Sequence, residues 1–178
     1  LIPYTNDQIK LKALSEVEQQ INTIAGSIPF DTLARIVNLW YVGTIRQITN
    51  YPSNIMIEKW IYNDFPDLRL YQSQSLKKQY DEAVQGLSNK VEKMTPRKFL
   101  DISNGMNYAF FKILGDHLSD GYLLRRYDRS RYVDIGRKLI LLQQGIENNY
   151  RGDIVTVNKW ADALNISSWF TWRDFENI

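Results

Sequence analysis

The chain has 178 residues, 44% of them hydrophobic, 24% charged and 13% aromatic, a composition that excludes intrinsic disorder and suits one folded domain. It has no cysteine, which rules out disulfides and thiolate metal sites; no apolar run approaches the ~18–20 residues of a membrane span, and no basic-then-apolar leader is visible, so the cytoplasm is the expected compartment and no membrane partner is expected. The formal charge is only +2, yet residues 122–138 hold six basic and two acidic residues, leaving sixteen basic and eighteen acidic residues elsewhere; the positive character is local.

In chain order, Thr5-Asn6-Asp7 caps a first helix whose Leu14, Val17, Ile21 and Ile24 form one stripe, ended by Gly26-Ser27. Ile28-Pro29 opens a second helix. Its segment "LARIVNLWYVGTI" is apolar nearly all round, which marks it as the central helix. Tyr51-Pro52 is expected to break it, and a shorter third helix follows through Ile55, Ile57, Trp60 and Ile61 to a boundary at Asp64-Phe65-Pro66. A fourth helix carries Leu76, Tyr80, Ala83, Leu87, Val91 and Met94. Thr95 caps a fifth, with Pro96 in its first turn, running through Phe99, Ile102, Met106, Phe110, Ile113 and Leu118 towards Gly121. A sixth has Ile135, Leu139, Leu142 and Ile146 at 4-3-4 spacing and ends near Gly152; a seventh lies around residues 158–164. Strand signals are poor. The expectation is an all-α, single-domain bundle of six or seven helices over residues 1–178, with a C-terminal element, 153–178, docked on it.

The segment "LLRRYDRSRYVDIGRK" carries Arg125, Arg126, Arg129, Arg131, Arg137 and Lys138 against Asp128 and Asp134. Asp128 would fall on the buried stripe if the sixth helix ran back unbroken, so Asp128 or Ser130 is expected to cap it instead. The arginines then crowd a helix end that already carries partial positive charge, where a phosphate would be welcome. Tyr122, Tyr127 and Tyr132 are interleaved and suited to stacking on bases or donating to phosphate. The alternative is a solvated, salt-bridged helix start, with Arg125 and Arg131 paired to Asp128, and Arg131 and Lys138 to Asp134; a site for an acidic protein is the third reading. A second basic group, Lys90, Lys93, Arg97 and Lys98, sits at the start of the fifth helix, and along that helix the two groups would lie roughly 35 Å apart.

Other chemistry is sparse. His117, the one histidine, reads as a partly buried structural residue near an apolar face. No carboxylate pair has acid–base spacing, no glycine-rich phosphate loop is present, and no metal site or cofactor is expected, so the chain reads as non-enzymatic. "VTVNKWADALNISSWFTWRDF" faintly suggests a helix-turn-helix through Trp160, Ala161 and Leu164, with its turn at Asn165. Its second element, with Trp169, Phe170, Trp172 and Phe175, is better suited to docking on the bundle; exposed, those aromatics would anchor a partner.

In format, an all-α chain without catalytic residues but with a cationic segment resembles the helical small subunit of a CRISPR type I effector complex. That resemblance implies a structural subunit lining nucleic-acid strands, RNA or DNA, beside other protein subunits. Some such subunits are produced from inside a larger gene, which suits a chain opening on Leu1; a processed end or a fragment boundary suits it equally. A DNA-wrapping coat protein of a filamentous virus ranks second, because 14 Asn and 10 Gln point away from a heat-loving source. The expected function is sequence-independent backbone binding by Arg125, Arg126, Arg129 and Arg131, supported by Arg137, Lys138, Lys93, Arg97 and Lys98. The alternatives are a protein-interaction module docking through the aromatic C-terminus and, if the C-terminal helices are free and dimeric, a sequence-specific regulator.

Overall fold

A computed structural model describes residues 1–26 and 28–175. The chain is all-α. Its elements run β1 (Ile2–Tyr4), α1 (Asp7–Ser15), α2 (Glu18–Ala25), α3 (Phe30–Asp64), α4 (Arg69–Val84), α5 (Asn89–Met94), α6 (Arg97–Leu118), α7 (Val133–Gln143), α8 (Tyr150–Ala163) and β2 (Thr171–Arg173). Ser27 of the Gly26-Ser27 stop and the end of the aromatic stretch, 176–178, lie outside the described residues. Among those described, no helix is long and apolar enough to cross a membrane.

The sixth expected helix ends at Gln143, before Ile146, and Gly152 lies in the first turn of α8; three other boundaries also differ from the sequence expectation, each for a packing reason. The first helix divides into α1 and α2 at Val17, which leaves helical geometry at φ −120° and ψ 7°. That turn buries Ala13 and Val17 and carries Glu16 to Lys98 and to the Trp169 indole. Pro52 does not break α3, which runs through it for 35 residues. Ile45, Ile48 and Ile55 flank the proline and are all buried; at ~1.5–3 kcal/mol per buried side chain, they outweigh a proline cost of ~3 kcal/mol. The fourth helix divides at a 3₁₀ turn, Gln85–Leu87, so that α5 stands apart from α4.

The core also sits elsewhere than expected. The centre is α6, with thirteen of its residues buried, from Phe99 to Gly115. The opening of α3 is outside: Phe30 is 83% and Leu39 67% exposed. Around α6 pack α3, α7 and the residues between α6 and α7. Gly105 and Gly136 permit the α6–α7 crossing. A Cβ on Gly136 would come within 2.3 Å of Tyr108 Cδ1, and one on Gly105 within 2.4 Å of Ile135 Cγ2.

The two ends of the described chain close on each other. β1 and β2 pair antiparallel, Pro3 opposite Trp172. Three-residue strands are too short for alternation to show in sequence. The C-terminal residues do not build a second DNA-reading helix. After α8, Asn165 takes the left-handed conformation at φ 55°, and the following 3₁₀ turn, Ser167–Trp169, buries Trp169 completely. Trp169 lies beside Phe99 and Tyr41, whose hydroxyl donates to its carbonyl at 2.7 Å. The aromatic stretch is therefore docked on the bundle through Trp169 and Phe170, 6% exposed; Phe175, at 76%, is not.

Candidate nucleic-acid interface

The cationic segment lies between α6 and α7 and takes its shape from α6. Ser119 ends that helix in the left-handed conformation, and Asp120 N–H bonds the Gly115 carbonyl at 2.9 Å, which turns the chain back along the helix. Residues 120–132 then descend α6. Leu123 packs by Gly115, Tyr127 reaches Asn107 and Asn104, and Arg131 reaches Asp101. From there α7 climbs beside α6 again.

Side chains hold the backbone of this descent at several points. The Asp120 carboxylate accepts from Tyr122 N–H at 3.0 Å, and the Tyr80 hydroxyl from Arg126 N–H at 2.7 Å. Ser130 Oγ donates to the Tyr127 carbonyl at 2.7 Å and accepts from Tyr132 N–H at 3.3 Å. Ser130 thus closes the turn before α7 rather than capping it, and exposed Asp128 caps nothing. The first residue of α7 follows Tyr132, and its start has no side-chain cap.

The expected cationic residues separate into two kinds. Arg125, Arg126, Arg129, Arg137 and Lys138 are exposed and make no ion pair among the described residues. The pairings expected of a salt-bridged helix start, to Asp128 and Asp134, are absent from that set. Arg125 lies 5.4 Å from the Tyr122 ring. By contrast Arg131 is engaged, bonded to Glu92 of α5 and 3.7 Å from Asp101 of α6. Arg97 meets Asp101 at 3.5 Å, and Lys98 meets Glu16 at 2.5 Å. Lys90 and Lys93 are exposed on α5. The descent of residues 120–132 therefore carries Arg131, of the first group, to the second at the start of α6. The separation of ~35 Å, taken along a single helix, does not hold.

The tyrosines are not open to bases as expected. Tyr127 and Tyr132 are buried, at 0% and 4% exposure, and Tyr122 is half-buried. Tyr127 is the keystone of a polar network that the sequence reading missed. Its hydroxyl accepts from Asn107 Nδ2 at 3.0 Å and lies 3.1 Å from both Asn104 Oδ1 and the Ala83 carbonyl. Burial raises its phenol well above the usual range. The Tyr122 hydroxyl donates to Asp81 at 2.7 Å, and that hydrogen bond raises its pKa. Asn104 and Asn107, three residues apart among the apolar residues of α6, were the available signal for the network.

His117 is half-buried, with Nε2 3.2 Å from Asn63 Oδ1. Burial, and then Lys59, lower its pKa. Among the described residues no group of three or more His, Asp or Glu side chains gathers as a metal site would. No family model, curated protein or solved structure matches the chain.

Proposed function

We propose that this chain is a non-catalytic subunit of a cytoplasmic nucleoprotein assembly. It grips sugar–phosphate backbone without reading sequence, in the manner of the small subunit of a CRISPR type I interference complex. One observation carries the reading. Arg125, Arg126, Arg129, Arg137 and Lys138 are exposed without carboxylate partners among the described residues, while the segment that bears Arg125, Arg126 and Arg129 is tied to α4 by the Arg126 N–H bond to Tyr80 and to α6 by the Tyr127 hydroxyl. Cations held on rigid backbone and left unneutralised lose little on meeting phosphate, and each contact releases counterions. Arg131 serves differently: it clips α5 to the cluster, keeping Lys90 and Lys93 beside it.

An assembly subunit also needs a face for its neighbours. The α3–α4 turn exposes Ile57, Trp60, Phe65, Leu68, Leu70 and Tyr71, an apolar group suited to subunit contact. The same face suits copy-to-copy packing in a helical coat that wraps viral DNA, which is the second reading. A module docking through its aromatic C-terminus is less favoured, since Trp169 and Phe170 are spent on the chain's own core.

A shift assay with single-stranded and duplex nucleic acid of several unrelated sequences tests the proposal. The Arg125/Arg126/Arg129→Ala variant should lose affinity to a similar degree on every sequence. Unchanged binding, or loss confined to one sequence, would overturn it.

A further inference from the structure

Near Tyr127, on the α3 side of α6, lies a cleft of about 560 Å³ between α3, the end of α4, α5 and α6, within the size range of small-ligand sites. Five carboxamides line it: Gln47, Asn50, Asn54, Asn104 and Asn107. Arg46 and Glu82 are its charged residues. Such a lining suits a neutral partner that both donates and accepts.

The network at its floor fixes what the lining offers. Asn107 Oδ1 accepts from Gln47 Nε2 at 2.6 Å and from the Tyr51 hydroxyl at 2.7 Å, and Gln47 Nε2 also donates to the Ser103 carbonyl at 3.1 Å. Burial pushes the Tyr51 phenol up to about 12, so it stays a donor. These bonds use the nitrogen of Gln47, and Tyr127 meets the oxygen of Asn104. Gln47 Oε1 and Asn104 Nδ2 have no hydrogen-bond partner among the described residues. One acceptor and one donor are left on two cleft-lining side chains, the pattern that a nucleobase edge answers. Trp40 supplies a ring in the wall, 5.8 Å from Phe99, and aromatic faces stack on bases of any kind. Cations for the flanking phosphates are at hand: Arg46 lines the cleft, and Lys90 and Lys93 flank Val91, which lines it from α5.

We infer that this cleft takes an unstacked base of a single strand, between the Trp40 ring and the free amide groups of Gln47 and Asn104. The choice of a base over another amide-edged group rests on the strand-gripping reading above.

Two measurements on the intact protein separate the ideas. Ultraviolet crosslinking of a bromodeoxyuridine-substituted single strand, mapped by peptide mass spectrometry, should place crosslinks in residues 40–54 or 99–107. Fluorescence titration with free adenosine, guanosine, cytidine and uridine should show quenching that Trp40→Leu abolishes, and the same variant should weaken strand binding about tenfold. Strand binding with crosslinks confined to residues 122–132 and no nucleoside quenching would overturn the cleft and leave backbone gripping intact. Nucleoside quenching without any strand binding would sustain the cleft as a base site and overturn gripping. Neither strand binding nor quenching would overturn both. Because Trp40→Leu alters packing against Phe99, exposed Asn50→Ala serves as a second variant and should weaken quenching while folding normally.

Discussion

Two irregular stretches, residues 119–132 and 164–175, are alike in being rich in aromatic residues and differ in the charge they leave outside. Each buries two large rings: Tyr127 and Tyr132 in one, Trp169 and Phe170 in the other, while Phe175 stays exposed. The C-terminal stretch also uses both indole N–H groups and carries a single arginine, Arg173, which has no ion pair among the described residues. Trp169 Nε1 donates to Glu16, Trp172 Nε1 to Asn158, and Arg173 lies over the Tyr4 ring at 3.3 Å. The 119–132 stretch leaves Arg125, Arg126 and Arg129 outside without an ion-pair partner among the described residues. Aromatic content in these stretches reports anchoring to α6 and α3; residual charge is what singles one of them out as a binding surface.

The comparison breaks if the buried rings are not anchors. The largest expected effect is on Trp169→Ala, which opens a cavity beside Phe99 and Tyr41 and should cost about 3–5 kcal/mol in denaturant unfolding; a cost under 1 kcal/mol would return the C-terminal stretch to the surface. Next comes Tyr127→Phe. It leaves Asn107 Nδ2 without its acceptor inside the protein, and should cost roughly 1–3 kcal/mol. Gly136→Ala, with its Cβ forced against Tyr108, should cost a similar ~1–3 kcal/mol unless the ring shifts.

Smaller effects sharpen the contrast. Glu16 ties α1 to Lys98 and Trp169. Burial raises its pKa, but the hydrogen bonds from Lys98 and Trp169 outweigh burial and hold it below the ordinary 4.5. A carboxylate lowered in this way contributes stability that is fully present above 4.5 and is lost as pH falls through its folded value. Glu16→Gln should therefore flatten part of the acid arm of a stability–pH curve, and a curve unchanged by the substitution would contradict this. Smallest is Arg131→Ala. Its pairs with Glu92 and Asp101 are largely exposed, so no more than about 1 kcal/mol of stability should be lost, while hydrogen exchange in α5 should quicken.

Much of the helix content was legible because local signals agree with packing. Asn6 caps α1, accepting from Ile9 N–H at 2.9 Å, and Asn165 closes α8. The prolines expected to open α3 and α6 sit one residue before each helix, at Pro29 and Pro96. The central helix differs from the expectation because "LARIVNLWYVGTI" is apolar in composition, while burial depends on what packs around it, and Phe30 and Leu39 of the opening turns stay exposed. For the candidate site, the excess of arginine could be read directly. Its geometry could not. The descent along α6 is set by Ser119, by Asp120 N–H on Gly115 and by Tyr127 deep in the core, contacts of long range in a segment without a helical or strand period. Those contacts bury Tyr127 and Tyr132 and carry Arg131 to Glu92 and Asp101, beside a basic group that a linear reading sets apart.

The most direct test is the salt dependence of strand binding in the Arg125/Arg126/Arg129→Ala variant, set beside that of Arg131→Ala. If the three unpaired arginines sit on phosphates, the slope of log affinity against log salt should become shallower by roughly 2–3 in the triple variant. It should change by less than 1 in Arg131→Ala, whose charge the protein already neutralises. Equal slopes in the triple variant and the parent protein would contradict the account.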